Sequence, residues 1–118
     1  MLAQAAHSTE EYLLRLYEDF APARFVSSLI SADVARGFLI ANATLVGFGI
    51  WCWAFPVRRR WRIAGSVAWF WIVLEIVNGL GHIGMALSRG GYMAGAATAP
   101  LLIAAAIWLG VRITRESG

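Results

Sequence analysis

The chain has 118 residues and is strongly apolar: 59% of its residues are hydrophobic, 14% are charged, and the mean hydropathy is +0.64. About a quarter of the residues of a soluble domain are charged, so this composition excludes an ordinary soluble enzyme and favours an integral membrane protein. The net charge is +3, but the basic residues cluster between apolar runs, which argues against a nucleic-acid partner. The length predicts a single membrane-embedded domain, residues 1–118.

The N-terminal stretch predicts a helix over residues 2–20 with only a partial apolar stripe. It is too polar to be a simple spanning helix, so we expect it to lie at the interface or to enter the protein with its polar side against other helices. Ala21 and Pro22 are expected to end it. Residues 23–36 read as a connector in which Ser31 or Asp33 caps the next helix.

Three later stretches predict transmembrane helices, at residues 37–57, 61–88 and 92–113. The uncharged runs 38–57 and 92–111 are each long enough to cross the roughly 30 Å hydrocarbon core of a bilayer as a helix. The predicted fold class is therefore all-α: an integral membrane helical bundle with three transmembrane helices plus an N-terminal interfacial or membrane-entering helix. The Arg-rich loop 58–62 and the C-terminus are predicted to be cytoplasmic, because basic loops stay on that side.

Two polar clusters interrupt these apolar helices. Glu75, Asn78 and His82 are spaced i, i+3 and i+7, so they share one helix face within the second transmembrane segment. An intramembrane ionisable residue is expensive and is a functional-site candidate by default, although a structural ion pair of Glu75 with an arginine is the alternative. The other cluster lies on the N-terminal helix and comprises His7, Glu10 and Glu11, which could instead be a solvated helix face.

Carboxylates and imidazoles on facing helices are the donors from which metal sites in helical bundles are built. We therefore predict a divalent metal, Zn, Fe or Mn, or otherwise no cofactor. The candidate ligands are His7, Glu10, Glu11, Glu75 and His82. A metal-free alternative makes Glu75 or Glu11 the acid or base, tuned by a paired histidine. Asn42 and Asn78 are expected to orient substrate or ligands, and Asn42 could instead form an interhelical hydrogen bond. The candidate catalytic residues are Glu11, Glu75, Asn78 and Asn42.

Four segments in chain order resemble the HXXEE-domain family of small bacterial and archaeal membrane proteins. They are residues 7–12 (HSTEEY), 38–42 (FLIAN), 78–82 (NGLGH) and 91–99 (GYMAGAATA). In the last segment Ala94 stands where the family has proline, a change expected to affect only the turn. The resemblance implies a prokaryotic inner-membrane protein in which one site gathers His7, Glu10, Glu11, Asn42, Asn78 and His82.

These observations predict a membrane-embedded enzyme that acts on a lipophilic small molecule through a buried His/Glu/Asn pocket. The expected chemistry is metal-assisted hydrolysis or oxidation–reduction, or acid–base isomerisation or cyclisation. The expected partners are the lipid bilayer, that substrate and further copies of the chain. The alternative is a non-enzymatic proton or ion pathway, or a small accessory subunit of a membrane complex, since buried Glu/His chains also relay protons.

Overall fold

The computed structural model describes residues 1–117. Helix makes up 81% of the structure, and the described residues contain no β-strand, which confirms the all-α prediction. Helix α4 continues into a π-helical turn, Trp53–Val57, that contains Pro56. The α-helices are α1 (Leu2–Leu13), α2 (Leu16–Asp19), α3 (Ala21–Ile30), α4 (Val34–Cys52), α5 (Ala64–Arg89) and α6 (Ala99–Ser117).

The N-terminal stretch is not one helix over residues 2–20. Helix α1 ends at Leu13, and Arg15 adopts a left-handed conformation with φ 57° before the single turn of α2. The turn brings Leu16 and Tyr17 into the core, where the Tyr17 and Phe38 rings lie 5.2 Å apart. Tertiary packing therefore stabilises a helix break at Arg15, where the sequence has no glycine or proline. Pro22, which was expected to follow a helix, lies in the first turn of α3.

Helix α4 begins at Val34, three residues before the predicted start at residue 37, because Asp33 caps it. The Asp33 carboxylate accepts a hydrogen bond from the backbone N–H of Arg36 at 3.2 Å. Helix α3 packs on the first turns of α4 at close range: a Cβ at Gly37 would collide with the backbone carbonyl oxygen of Ser27. These contacts place α3 beside the N-terminal part of α4.

The last helix begins at Ala99 rather than at residue 92, so the predicted helix 92–113 is wrong at its start. Residues 90–98 form an irregular segment in which Gly90 and Gly95 have φ of 66° and 89°. Two helices, Val34–Val57 and Ala64–Arg89, are long and apolar enough to cross a membrane. The later start confines α6 to 19 residues that include Arg112 and Arg115.

Helix α1 packs against α4 and α6 and runs in the same direction as α5. Its direction follows from two side-chain pairs seven residues apart on both helices: Gln4 contacts Glu75, and Glu11 contacts His82. Helices α5 and α6 also pack closely, since a Cβ at Gly79 would collide with Ile103 and the carbonyl oxygen of Ala99. The polar side of α1 is thereby held against the polar stripe of α5.

The polarity of α1 is inverted relative to a soluble amphipathic helix. Its buried residues are Gln4, His7, Ser8 and Glu11, all polar. Leu2 and Leu13, in contrast, are 90% and 69% exposed. Apolar side chains also cover the outer faces of α4, α5 and α6, among them Phe48, Val73, Leu80 and Trp108. Such a surface is unstable in water and suits a hydrocarbon environment.

Candidate metal centre

The buried stripe of α1 meets α5 at a cluster of three ionisable side chains. His7 is fully buried, and Glu11 and His82 are 7% and 4% exposed. Glu11 Oε1 lies 3.3 Å from His7 Nε2 and 2.9 Å from His82 Nε2. The two imidazole rings meet edge to face with centroids 4.7 Å apart. The three potential ligand atoms lie within 4.8 Å of one another, so two nitrogens and one oxygen converge on one point.

The outer nitrogen of each imidazole has an acceptor that fixes where its proton lies. His82 Nδ1 is 2.8 Å from the carbonyl oxygen of Ala94, which can only accept, so Nδ1 carries the proton. His7 Nδ1 is 2.7 Å from Thr98 Oγ1. The one hydroxyl proton of Thr98 points to Glu10 Oε2, 2.5 Å away, so Thr98 accepts from His7 Nδ1.

It follows that in both neutral imidazoles the Nε2 atom carries a lone pair, and both lone pairs face the Glu11 carboxylate. His7 Nε2 is buried and has no hydrogen-bond partner among the described residues. Burial raises the pKa of Glu11, but hydrogen bonds and positive charge from His7 and His82 in their protonated forms outweigh burial and lower the pKa below its ordinary value. An ionised carboxylate beside two lone pairs requires a positive charge at their centre, either a proton or a metal ion.

Glu10 does not reach this centre and instead organises the segment that covers it. Its carboxylate accepts from the backbone N–H groups of Ala97 and Thr98, at 3.3 and 2.9 Å, just before α6 begins, and from the Tyr92 hydroxyl. Burial raises the pKa of Glu10, but the bonds from Thr98, Tyr92 and Ala97 outweigh burial and lower the pKa to about 2. Burial and the bond to Glu10 raise the pKa of Tyr92 to about 12. Glu10 thus caps α6 from another helix.

Gly95 lets the covering segment approach both histidines. Its φ of 89° is strained for any residue with a side chain. A Cβ there would lie 2.5 Å from His82 Nδ1 and 2.9 Å from His7 Cε1. The backbone of residues 94–98 therefore lies directly against the outer edges of the two rings. Tyr92, Gly95 and Thr98 were not predicted as site residues. They lie in segment 91–99, whose resemblance to the HXXEE family was the sequence signal that could have indicated them.

Glu75, a predicted ligand, lies two helical turns from His82 and bonds a different residue. With the Gln4 amide oriented so that its oxygen accepts from Ser8 Oγ at 3.0 Å, its nitrogen donates to the Glu75 oxygens at 2.7 and 3.0 Å. Glu75 also lines a small separate cavity of about 100 Å³ beside Trp71. The structure thus assembles His7, Glu11 and His82, and leaves Glu10 and Glu75 outside the three-ligand group.

Asn42 and Asn78 lie in the wall of a cavity of about 510 Å³ that Glu11 and His82 also line. Asn42 donates from Nδ2 to the carbonyl oxygen of Phe38 at 3.2 Å, a bond within its own helix. Asn78 forms no side-chain hydrogen bond with another described residue, and both asparagines are half-buried. Each therefore has hydrogen-bonding capacity that faces the cavity.

A family model described as "Protein of unknown function with HXXEE motif" matches residues 1–109, which is nearly the whole chain. No curated protein and no solved structure matches at a significant level. In this chain the motif is His7, Glu10 and Glu11, the residues that build the centre and cap α6.

Proposed function

The chain belongs to the HXXEE family, and we propose that it is a membrane-embedded, metal-dependent enzyme that acts on a lipophilic small molecule. One observation carries the proposal: three buried lone-pair donors, on His7, Glu11 and His82, face one another while both outer imidazole nitrogens donate to oxygen acceptors. Metal-bound histidines have this arrangement, with the far ring N–H held by a carbonyl or carboxylate. In His7, Thr98 connects the ring to the Glu10 carboxylate.

The spacing of the donor atoms favours a small divalent metal. Ligands about 2.0–2.1 Å from a tetrahedral metal lie roughly 3.3 Å apart. Glu11 Oε1 is 3.3 Å from His7 Nε2, which equals that separation, and 2.9 Å from His82 Nε2, which is shorter, and all three donor atoms lie within 4.8 Å of one another. Two imidazoles and one carboxylate suit Zn, Fe or Mn. Bound there, the metal would serve as a Lewis acid with a coordination position left for substrate, since three ligands converge among residues 1–117.

The metal that binds would decide the reaction class. Two histidines and a glutamate hold zinc in hydrolases. Two histidines and a carboxylate also hold iron in oxygen-dependent enzymes. The residues of the chain have the same roles in either case. Thr98 and the Ala94 carbonyl orient the imidazole rings of His7 and His82, and Glu11 offsets the charge of the metal. Asn42 and Asn78 line the cavity that would hold the substrate. The low exposure of the three ligands keeps bulk water away.

The inverted polarity of α1 supports a membrane location. We propose that α4, α5 and α6 cross the inner membrane of a prokaryotic cell, with the loop 58–62 and the C-terminus on the cytoplasmic side. Arg89, the last residue of α5, is seven positions after His82. At 1.5 Å per residue the centre then lies about 10 Å inside that end of the helix. A shallow site of this kind would meet the acyl region of the bilayer.

The same contacts also favour a metal-free rival. A proton on His82 would pair it with Glu11, and a buried His–Glu–His chain of this kind could relay protons. The two accounts differ in what fills the centre. Elemental analysis separates them, provided that purification uses neither a chelator nor a metal-affinity column.

The test compares wild type with His82→Ala, Glu11→Ala and, as a matched control, Glu116→Ala, whose carboxylate is exposed and pairs with Arg112. We expect about one Zn, Fe or Mn per chain in wild type and in the control, and loss of the metal in the two site variants. A well-folded wild-type protein that stays metal-free after incubation with each metal would refute the metal proposal. Proton flux in liposomes would then test the relay.

A further inference from the structure

The cavity of about 510 Å³ beside the centre has the size of a site for one drug-sized molecule. Residues from α1 to α5 line it, and most of them are apolar. Two of the apolar lining residues, Val26 on α3 and Val77 on α5, are 49% and 64% exposed, so the cavity reaches the outer surface of the bundle. Its polar lining residues are Gln4, Glu11, Ser27, Asn42, Asn78 and His82.

The opening lies on the apolar surface of the protein, because Val26 and Val77 are flanked by the exposed side chains of Phe25, Leu29 and Leu80. In the proposed membrane orientation a ligand would reach the centre from the hydrocarbon, without passing through water. A volume of this size holds one hydrocarbon chain with a small headgroup more readily than a two-chain phospholipid.

The charges around the cavity disfavour an anionic headgroup. No arginine is among the described residues that line the cavity. Three arginines lie close in sequence to lining residues. Arg15 pairs with Glu18, Arg24 donates to the carbonyl oxygens of Tyr17 and Glu18, and Arg36, two residues before Phe38, is exposed on the surface. A divalent metal at the centre would be balanced by the carboxylates of Glu11 and Glu10. A phosphate group would therefore meet no net positive charge and no guanidinium fork.

The two asparagines instead supply neutral hydrogen bonds. Gln4 and Ser27 are already committed, to Glu75 and to the Ala23 carbonyl oxygen at 2.7 Å. Asn78 has no described partner and Asn42 keeps its side-chain oxygen free. An amide side chain can donate to a carbonyl oxygen and accept from a hydroxyl or an N–H.

We propose that the substrate of this site is an uncharged, single-chain lipid with an ester or amide carbonyl, which Asn42 and Asn78 hold at the metal centre while the chain extends past Val26 and Val77. This inference rests on the proposed function, because it assigns the substrate class of the same site. It predicts selection against an otherwise identical lipid that carries a phosphate.

Equilibrium binding tests it with two labelled probes that share one oleoyl chain, monooleoylglycerol and oleoyl lysophosphatidic acid, on protein in nanodiscs, with empty nanodiscs subtracted. We expect saturable binding of monooleoylglycerol that is about tenfold or more tighter than that of the phosphate lipid, the factor of one typical hydrogen bond or charge contact. Equal or tighter binding of lysophosphatidic acid, or no saturable binding of monooleoylglycerol, would overturn the inference.

Two variants and one control test whether binding occurs in this cavity. Ala41→Leu fills the cavity, whereas the control Ala43→Leu makes the same change at an exposed position of α4 outside it. Asn78→Leu removes the uncommitted amide. We expect about tenfold weaker binding of monooleoylglycerol in Ala41→Leu and Asn78→Leu, and unchanged binding in Ala43→Leu. Equal affinities of the two alanine variants would contradict the inference even if Asn78→Leu failed to fold.

These outcomes can be told apart from a failure of the metal proposal. A protein without metal that still binds monooleoylglycerol in this cavity would refute the metal chemistry and support the lipid class. A protein whose metal depends on His82 but which prefers lysophosphatidic acid would keep the metal centre and refute the lipid class.

Discussion

Thr98→Val isolates the contact that connects Glu10 to His7. Thr98 Oγ1 lies 2.7 Å from His7 Nδ1 and 2.5 Å from Glu10 Oε2, and valine removes both bonds with little change in shape. Glu10 keeps the backbone N–H groups of Ala97 and Thr98. His7 is fully buried and would have no acceptor for its Nδ1 proton, which costs about 1–3 kcal/mol of folding stability.

The effect on metal binding follows from the same loss. A histidine whose outer nitrogen is unpaired is neither fixed in orientation nor held in the tautomer that presents Nε2. Removal of such a partner typically weakens metal affinity 10–100-fold, or about 1.4–2.7 kcal/mol. The affinity is measured by competition with a chromophoric chelator on protein in mild detergent.

Thr114→Val is the matched control, because its hydroxyl bonds to the Gly110 and Val111 carbonyl oxygens within α6, away from the centre. We expect the control to bind metal like wild type. If the metal affinity of Thr98→Val stays within about twofold of the control, the hydrogen-bond chain from Glu10 to His7 has no part in holding the centre, and the tautomer argument fails.

Three further predictions concern residues around the centre. Because the pKa of Glu10 is lowered from 4.5 to about 2, its stabilising effect is complete above pH 4.5 and is lost as the pH falls toward 2. The difference in thermal midpoint between wild type and Glu10→Gln should therefore shrink over that range. A difference that stays constant would refute this prediction. Gly95→Ala should destabilise the fold by about 1–3 kcal/mol in thermal unfolding, whereas Gly47→Ala, in open space, should not, and equal midpoints would contradict the close approach. In elemental analysis Glu75→Gln should still contain metal and Glu11→Gln should not. Loss of metal in both variants would mean that Glu75 is also a metal ligand.

The sequence indicated much of the fold because helices in an apolar environment leave a strong signal. The runs around α4 and α5 were recognisable from length and absence of charge, and residue type narrowed the cap of α4 to Ser31 or Asp33, of which the structure shows Asp33. The start of α6 was missed because residues 92–98 are as apolar as the helix that follows. Their path is fixed by the Glu10 carboxylate, a residue more than eighty positions away in the sequence.

The candidate site was predicted in composition but not in arrangement. Helical spacing shows that His7, Glu10 and Glu11 are neighbours, but it does not show which side of α1 is buried. The structure turns His7 and Glu11 toward α5 and Glu10 toward the segment before α6. Likewise, Glu75 and His82 share a face of α5. Because α1 runs parallel to α5, Glu75 contacts Gln4 and His82 contacts Glu11. Pairings between helices of this kind depend on helix direction and register, which no single sequence pattern specifies.

X-ray absorption at the edge of the metal found by elemental analysis shows whether His7, Glu11 and His82 together bind one metal ion. We expect a first coordination shell at roughly 2.0–2.2 Å with two imidazole nitrogens and one carboxylate oxygen, and one imidazole fewer in any metal that His82→Ala retains. A shell of oxygen atoms without imidazole scattering would contradict the account, because the metal would then lie elsewhere on the protein.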